Sequence, residues 1–303
     1  MRVLITGGSG LIGSALAREL GAAGQDVVVL SRDPSRVKGL PPSVRAVRWD
    51  GVSADSWAEL AEGPDTAIVH LAGEGIAEGR WTAERKRRIL ESRVRSSAAV
   101  AAAIRQAKVK PRVLLQGSAV GFYGPCGDEV VSEEQGPGTG FLSKVCVDWE
   151  KSTAEVESLG VRRALLRTGI VLARGGGALP KMALPFRLFA GGPLGSGRQW
   201  VPWIHLADEV GALRFLLETE AARGPFNLAA PEPVQNRDLG RALGEVLHRP
   251  SLLPTPAFAL HLALGEMAAM VLEGQRAVPR ALQKLGYTFR FPDLRQALHD
   301  LLD

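Results

Sequence analysis

Eight residues near the start of the chain, Thr6-Gly7-Gly8-Ser9-Gly10-Leu11-Ile12-Gly13, restrict what it can fold into more than any other feature. They follow a β-branched apolar run, Arg2–Thr6, and open a stretch over residues 11–23 in which Ala, Leu, Glu and Arg recur at helical spacing. A strand, a glycine turn and a helix in that order are what a dinucleotide pyrophosphate requires. Gly7 permits the tight turn, Gly10 lets backbone N–H groups reach the phosphates, and Gly13 lets the helix pack closely on the strand. The helix N-terminus adds unsatisfied N–H groups and a partial positive charge. Thr6, Leu11 and Ile12 complete the predicted cradle.

Similar apolar runs recur at 26–30, 45–49, 66–71, 112–116, 162–167 and 225–228, with helix-like stretches between them at 83–107 and 142–158. Alternation of this kind predicts a parallel sheet covered by helices on both faces, because a crossover helix must join each pair of parallel strands. The expected class is α/β: a Rossmann-type doubly wound parallel sheet over residues 1–248, in which 171–224 supply substrate-side loops and helices. After His248 the prolines Pro250, Pro254 and Pro256 mark a boundary, and a smaller, mostly helical C-terminal region is expected over 249–303, with helices at 258–272, 278–285 and 293–302.

The choice of dinucleotide should be written at the end of the second strand, where an acidic side chain would bind a ribose 2′-OH and repel a 2′-phosphate. Here the strand ends in Ser31-Arg32, with Arg36 close behind. A guanidinium pairs bidentately with phosphate and a hydroxyl donates to it, so NADP(H) is preferred over NAD(H). The competing arrangement has Arg32 in solvent and Asp33 on the ribose.

The net charge of +5 raises a nucleic-acid question. Its densest source, Arg85-Lys86-Arg87-Arg88, is interrupted by Glu84 and Glu91 on one helix and reads as a solvated face, so no nucleic-acid partner is expected. Cys126 and Cys146 make neither a disulfide framework nor a metal-binding pair, and no metal is expected. No apolar window is long enough to span a membrane and no leader pattern opens the chain. A cytoplasmic protein without a membrane partner, monomeric or homodimeric, is the expectation.

The 7-10-13 glycine spacing matches the Thr-Gly-x-x-Gly-x-x-Gly of the short-chain dehydrogenase/reductase superfamily and resembles its extended branch. The segments RWT…KRRILESRV, GSAVGFYG, FLSKVCVDWE, LRTGIVLARGGGALPKM, GGPLGSGRQWVPWIH, FNLAAPEPVQN and LGEMAAMVLEGQRAVPRALQKLGYTFRFPDLRQAL look like the epimerase family of atypical members of that superfamily, NAD-dependent epimerase/dehydratase-like proteins with a C-terminal helical module. The resemblance implies that Asp50 contacts adenine, that Leu71-Ala72-Gly73 line the floor beneath the cofactor, and that Arg167 and Thr168 approach its nicotinamide half. It implies Ser118 as the group that binds a substrate oxygen. The acid/base pair Tyr-x-x-x-Lys is absent: Leu142 and Cys146 stand at its two positions, and Lys144 points to another face. Tyr123 and His205 are candidate replacements, against structural readings in which Tyr123 fixes a turn and His205, with Asp208, caps a helix. Arg198, in the glycine-rich 191–199 loop, suits an anionic or sugar group. Two functions remain open: an NADP(H)-dependent oxidoreductase or epimerase acting on a carbonyl or nucleotide-sugar-like small molecule, and a non-catalytic NADPH-binding sensor or scaffold.

Overall fold

A computed structural model describes residues 1–37 and 39–303, without the side chain of Arg36, so that the assistance expected from Arg36 lies outside the described residues. Seven strands form one parallel sheet: β1 (Arg2–Thr6), β2 (Asp26–Ser31), β3 (Val44–Arg48), β4 (Thr66–His70), β5 (Val113–Ala119), β6 (Arg162–Thr168) and β7 (Gly224–Leu228). Their order is β3-β2-β1-β4-β5-β6-β7. The order reverses between β1 and β4, and a crevice for ligand opens beyond the carboxyl ends of strands at such a reversal.

Among the described residues, eight helices of eight or more residues accompany the sheet: α1 (Leu11–Ala22), α2 (Ala83–Gln106), α3 (Phe141–Lys151), α4 (Leu179–Arg187), α5 (Leu206–Glu218), α6 (Asn236–Leu247), α7 (Ala257–Leu264) and α8 (Leu294–Leu302). Neighbouring residues of each strand serve opposite layers. Val3, Ile5, Val27 and Val29 pack under Leu16 and Leu20 of α1 and Leu213 and Leu217 of α5. Leu4, Val28, Ile68 and Leu114 face the other way, toward Trp57 and toward Val100 and Ile104 of α2. Burial on both faces is why the strands read as unbroken apolar runs; each such side chain contributes about 1.5–3 kcal/mol. Arg162 closes the end of α5, donating at 2.9 Å to the carbonyls of Leu216 and Leu217, which the helix leaves unpaired, and at 3.0 Å to that of Ala222 beyond it.

Two expected helices are broken. The stretch at 142–158 ends as α3 at Lys151, where the Ser152 hydroxyl donates to the Trp149 carbonyl at 2.6 Å, and resumes as a single turn, Glu155–Ser158. The stretch at 258–272 stops at Gly265, whose φ of +62° cannot continue a right-handed helix; a 3₁₀ turn and the short helix Ala269–Leu272 follow. The tail is tied to the body by the strand pair Arg276–Ala277 with Val130–Val131 and by α8, whose Leu294 and Leu298 pack in one cluster with Leu239 and Leu243 of α6. The buried Asp208 carboxylate accepts from the N–H groups of Arg290 and Phe291 at 2.6 and 2.8 Å.

Candidate functional site

At the sheet reversal the glycine turn leaves no room for side chains on its inner side. A Cβ on Gly7 would lie 2.9 Å from the Leu71 carbonyl, and one on Gly13 would lie 2.5 Å from the Gly7 oxygen. Gly10 is exposed at the start of α1; its own N–H donates to the Gly7 carbonyl at 2.9 Å, and no side chain caps the first turn that follows, whose N–H groups have no partner within the helix. That combination fits a pyrophosphate. Leu11 packs its side chain against Gly176 and Gly177, while Ile12 turns into the core.

Thr6 is fully buried and serves the scaffold. Its Oγ1 accepts from the N–H groups of Leu71 and Ala72 at 3.2 Å each, so its own proton goes to His70 Nδ1 at 2.7 Å. His70 Nε2 then donates to Ser97 at 2.9 Å. Burial, with Arg93 nearby, pushes the His70 pKa down to about 3, so the ring stays neutral as this tautomer requires. The end of β1 is thereby locked to the end of β4, and Leu71, Ala72 and Gly73 continue from that junction. Gly73 lies under Arg93, whose guanidinium carbon would be 3.1 Å from a Cβ there. Arg93 stacks on Trp149 at 4.9 Å.

The adenosine side is set by hydrogen bonds local to the turns. The Ser31 hydroxyl donates to the Asp33 carbonyl at 3.0 Å and accepts from the Asp33 N–H at 3.2 Å. The Asp33 carboxylate caps the 3₁₀ turn Pro34–Arg36, accepting from the Ser35 N–H and hydroxyl. Asp50 accepts from the N–H groups of Val52 and Ser53, each at 2.8 Å, and from the Ser53 hydroxyl; these bonds hold its pKa below the usual carboxylate value. Arg32 is exposed and reaches past Gly51, and it makes no ion pair among the described residues.

A second polar constellation crosses the carboxyl edge of the sheet. Strand register puts Ser118, Arg167 and Asn227 side by side on β5, β6 and β7, hence on one face. Glu150 of α3 reaches down to them. It accepts from Ser118 Oγ at 2.6 Å, and Arg167 grips both its oxygens at 3.0 and 3.1 Å. Tyr123 accepts from Arg167 at 3.0 Å and donates to Asn227 Oδ1 at 2.7 Å, while the Asn227 N–H donates to Glu133. Burial raises the Tyr123 pKa, and the hydroxyl proton is directed into Asn227. Thr168 donates to Glu209 at 3.0 Å, a fully buried carboxyl whose pKa burial pushes up to about 8.

Leu142 sits in an apolar cluster with Trp81, Phe141, Met267 and Met270. Cys146 is buried, and burial together with the charge of Glu150 pushes its thiol up to about 11. His205 lies elsewhere. Its Nδ1 accepts from the Ala207 N–H at 3.0 Å as the cap of α5, its Nε2 faces Asp300 at 3.2 Å, and its ring stacks on Phe291 at 3.9 Å. It lines a groove of about 710 Å³ beside the glycine turn, with Ser9, Gly10, Arg18 and Arg174, and without Ser118, Tyr123 or Arg167. The Arg198 side chain is exposed on its loop. The structure therefore joins Ser118, Tyr123 and Arg167 and leaves His205 with the helix it caps. Glu150, Asn227, Glu209 and Arg93 were not expected here, and since α3 also carries Lys144, Asp148 and Lys151, nothing in its sequence singles out Glu150.

The NAD dependent epimerase/dehydratase family model matches residues 3–229, and a domain of unknown function, DUF1731, matches residues 255–301. The epimerase family protein YfhF of Bacillus subtilis is 37% identical, with 100% of this chain and 98% of that protein covered. A chloroplastic homolog of epimerase family protein SDR39U1 from Arabidopsis thaliana is 39% identical, covering 100% of this chain and 87% of its own. Human epimerase family protein SDR39U1, solved with NADPH, superposes with a TM-score of 0.88 at 34% identity and covers 99% of both chains.

Proposed function

The chain belongs to the NAD dependent epimerase/dehydratase family, and from that premise we propose that it is an NADP(H)-binding oxidoreductase or epimerase acting on a carbonyl or nucleotide-sugar-like compound. The observation that carries the cofactor part is the charge at the end of β2. Asp33 and Asp50 turn their carboxylates into their own loops, and Arg32 extends outward with no ion pair among the described residues. A 2′-phosphate is attracted by that arrangement, which offers a ribose 2′-OH no acidic partner. The NADPH held by the human relative supports the same choice, with NAD(H) second.

A bound nicotinamide dinucleotide supplies or accepts the hydride. The glycine turn would hold the pyrophosphate, Arg32 would meet the 2′-phosphate beside the turn that Ser31 ties to Asp33, and Leu71, Ala72 and Gly73 would form the floor. Ser118 binds the substrate oxygen. Its hydroxyl proton lies between Oγ and Glu150 Oε1, which are 2.6 Å apart, so a proton arriving at Ser118 Oγ from a substrate hydroxyl has a carboxylate to pass to. Arg167 balances the charge of that carboxylate, and Tyr123 holds Arg167 in place. Ser118 and Glu150 thus stand in for the missing tyrosine and lysine. The described helices include none long and apolar enough to cross a membrane, and the reading extends to a cytoplasmic monomer or homodimer.

The apolar packing of Leu142 and the raised thiol of Cys146 favour a second reading, an NADPH sensor without turnover. Challenge of NADPH-loaded protein with aldehydes, ketones and nucleotide sugars, followed by cofactor fluorescence, separates the two. Oxidation that Ser118→Ala removes supports catalysis. Tight cofactor binding with no NADPH oxidation by any compound, and no epimer formed from any nucleotide sugar by NADP+-loaded protein, would sink it and leave the sensor.

A further inference from the structure

Among the described residues, seven of the ten exposed large apolar side chains lie in two short segments: Leu184, Leu188 and Phe189 around the end of α4, and Leu252, Leu253, Phe258 and Leu262 leading into and along α7, all between 54% and 78% exposed. The two segments run against each other. The N–H groups of Leu252 and Leu253 both donate to the Gly191 carbonyl at 3.0 Å, Thr255 donates to Pro193 at 2.9 Å, and Arg249 stacks on Phe189 at 4.5 Å. Helix α7 buries none of its eight residues, and Phe258 and Leu262, four apart, share its outer face. Seven exposed apolar side chains are thus carried on two adjoining segments, more than exposed side chains scattered singly.

These two segments carry cations and no carboxylate. No aspartate or glutamate occurs between Glu157 and Asp208 or between Glu245 and Glu266, whereas Lys181, Arg187, Arg249 and His261 fall within those stretches. The acidic residues at the borders are already engaged: Glu157 with Arg163, Glu245 with Arg295, Glu266 with Lys86, and Asp208 with the backbone of Arg290 and Phe291. Lys181, Arg187 and Arg249 make no ion pair among the described residues.

We propose that this face docks on the surface of an anionic lipid bilayer. Apolar side chains that enter the headgroup boundary, with cations beside them and no carboxylates, are what binding in the plane of such a surface requires. A second copy of this chain, meeting it through a twofold axis, would set the same unpaired cations against one another. Docking of this kind needs no membrane-spanning helix. It would also bring lipid next to the loop after β4, because Arg80 of that loop donates to the carbonyls of Leu262 and Ala263.

The test is sedimentation of the full chain with phosphatidylcholine vesicles, and with vesicles that also contain phosphatidylglycerol, at low and high salt. The expected result is capture by the anionic vesicles that weakens as salt rises. Phe258→Glu/Leu262→Glu should lower that capture by more than about tenfold, and Lys181→Glu/Arg187→Glu by at least about thirtyfold, with melting curves unchanged; Phe258→Ser carries the same test should the double glutamate variant not fold. The proposal is overturned if wild type stays in the supernatant with both vesicle types, or binds both equally. It is also overturned if sedimentation velocity shows a dimer that Phe258→Glu/Leu262→Glu dissociates while no vesicle is bound, since a second copy then covers the face.

Discussion

Glu150 carries two burdens, an ion pair and a hydrogen bond, in a place where water cannot substitute for either. With Arg167 and Glu150 side chains 6% and 10% exposed, removal of one partner leaves the other charge buried and unmatched. Glu150→Gln should therefore cost about 3–5 kcal/mol, whereas Ser118→Ala, which keeps the ion pair and loses one bond to the charged carboxylate, should cost about 1.5–3 kcal/mol. Urea unfolding of both variants checks the ordering, and equal losses would contradict the buried pair. Glu209 makes a pH prediction. Its folded pKa, about 8, stands above the ordinary glutamate value of 4.5, so between those values the native state holds more protons than the unfolded chain. Its contribution is fully present below pH 4.5 and is lost as pH rises through 8. Inside that window the decline from this one carboxyl is about 1.4 kcal/mol for each step of one in pH. Glu209→Gln should flatten it in melts taken across the window; a wild-type slope retained by the variant would show that another group sets it.

The seven strands and the glycine turn were legible in the sequence because each is a local pattern: a β-branched run, or three glycines between a strand and a helix. Strand β5 nonetheless runs to Ala119, three residues past its expected end, since the polar Gly117 and Ser118 hide a pairing made with β6. Gly265 stops a helix whose alanine, leucine and methionine pattern continues straight through it. The Ser118, Glu150, Arg167 and Asn227 group was illegible for another reason. Its members lie on four separate elements, and only strand register and the descent of α3 bring them together. The absence of the Tyr/Lys pair was legible, but what fills the space was not. At this scale Gly13 gives the sharpest prediction. A methyl 2.5 Å from the Gly7 oxygen would push α1 away from β1, and Gly13→Ala should cost about 1–3 kcal/mol and most of the dinucleotide affinity. Thermal melts with and without cofactor check this, and an unchanged cofactor-induced shift would contradict the close packing of turn and helix.

Across the whole molecule the sheet reversal, the turn that fills it and the polar edge beside it form one continuous line along the carboxyl ends of β2, β1, β4, β5, β6 and β7. The tail closes on this line from one side: Met267 and Met270 meet Leu142, and Asn227 donates to the Val278 carbonyl at 3.0 Å. Such contacts join residues more than fifty positions apart and cannot be read from spacing, whereas the class of the fold could be read from the alternation of runs alone. The proposed function stands or falls on whether this line begins at a site for a 2′-phosphate. The direct measurement is titration of wild type and Arg32→Ala with NADPH and with NADH at one fixed salt concentration. Wild type should bind NADPH more tightly, and the variant should lose about 1.5–3 kcal/mol of that preference; equal affinities in wild type, or a preference that Arg32→Ala leaves unchanged, would contradict the 2′-phosphate site.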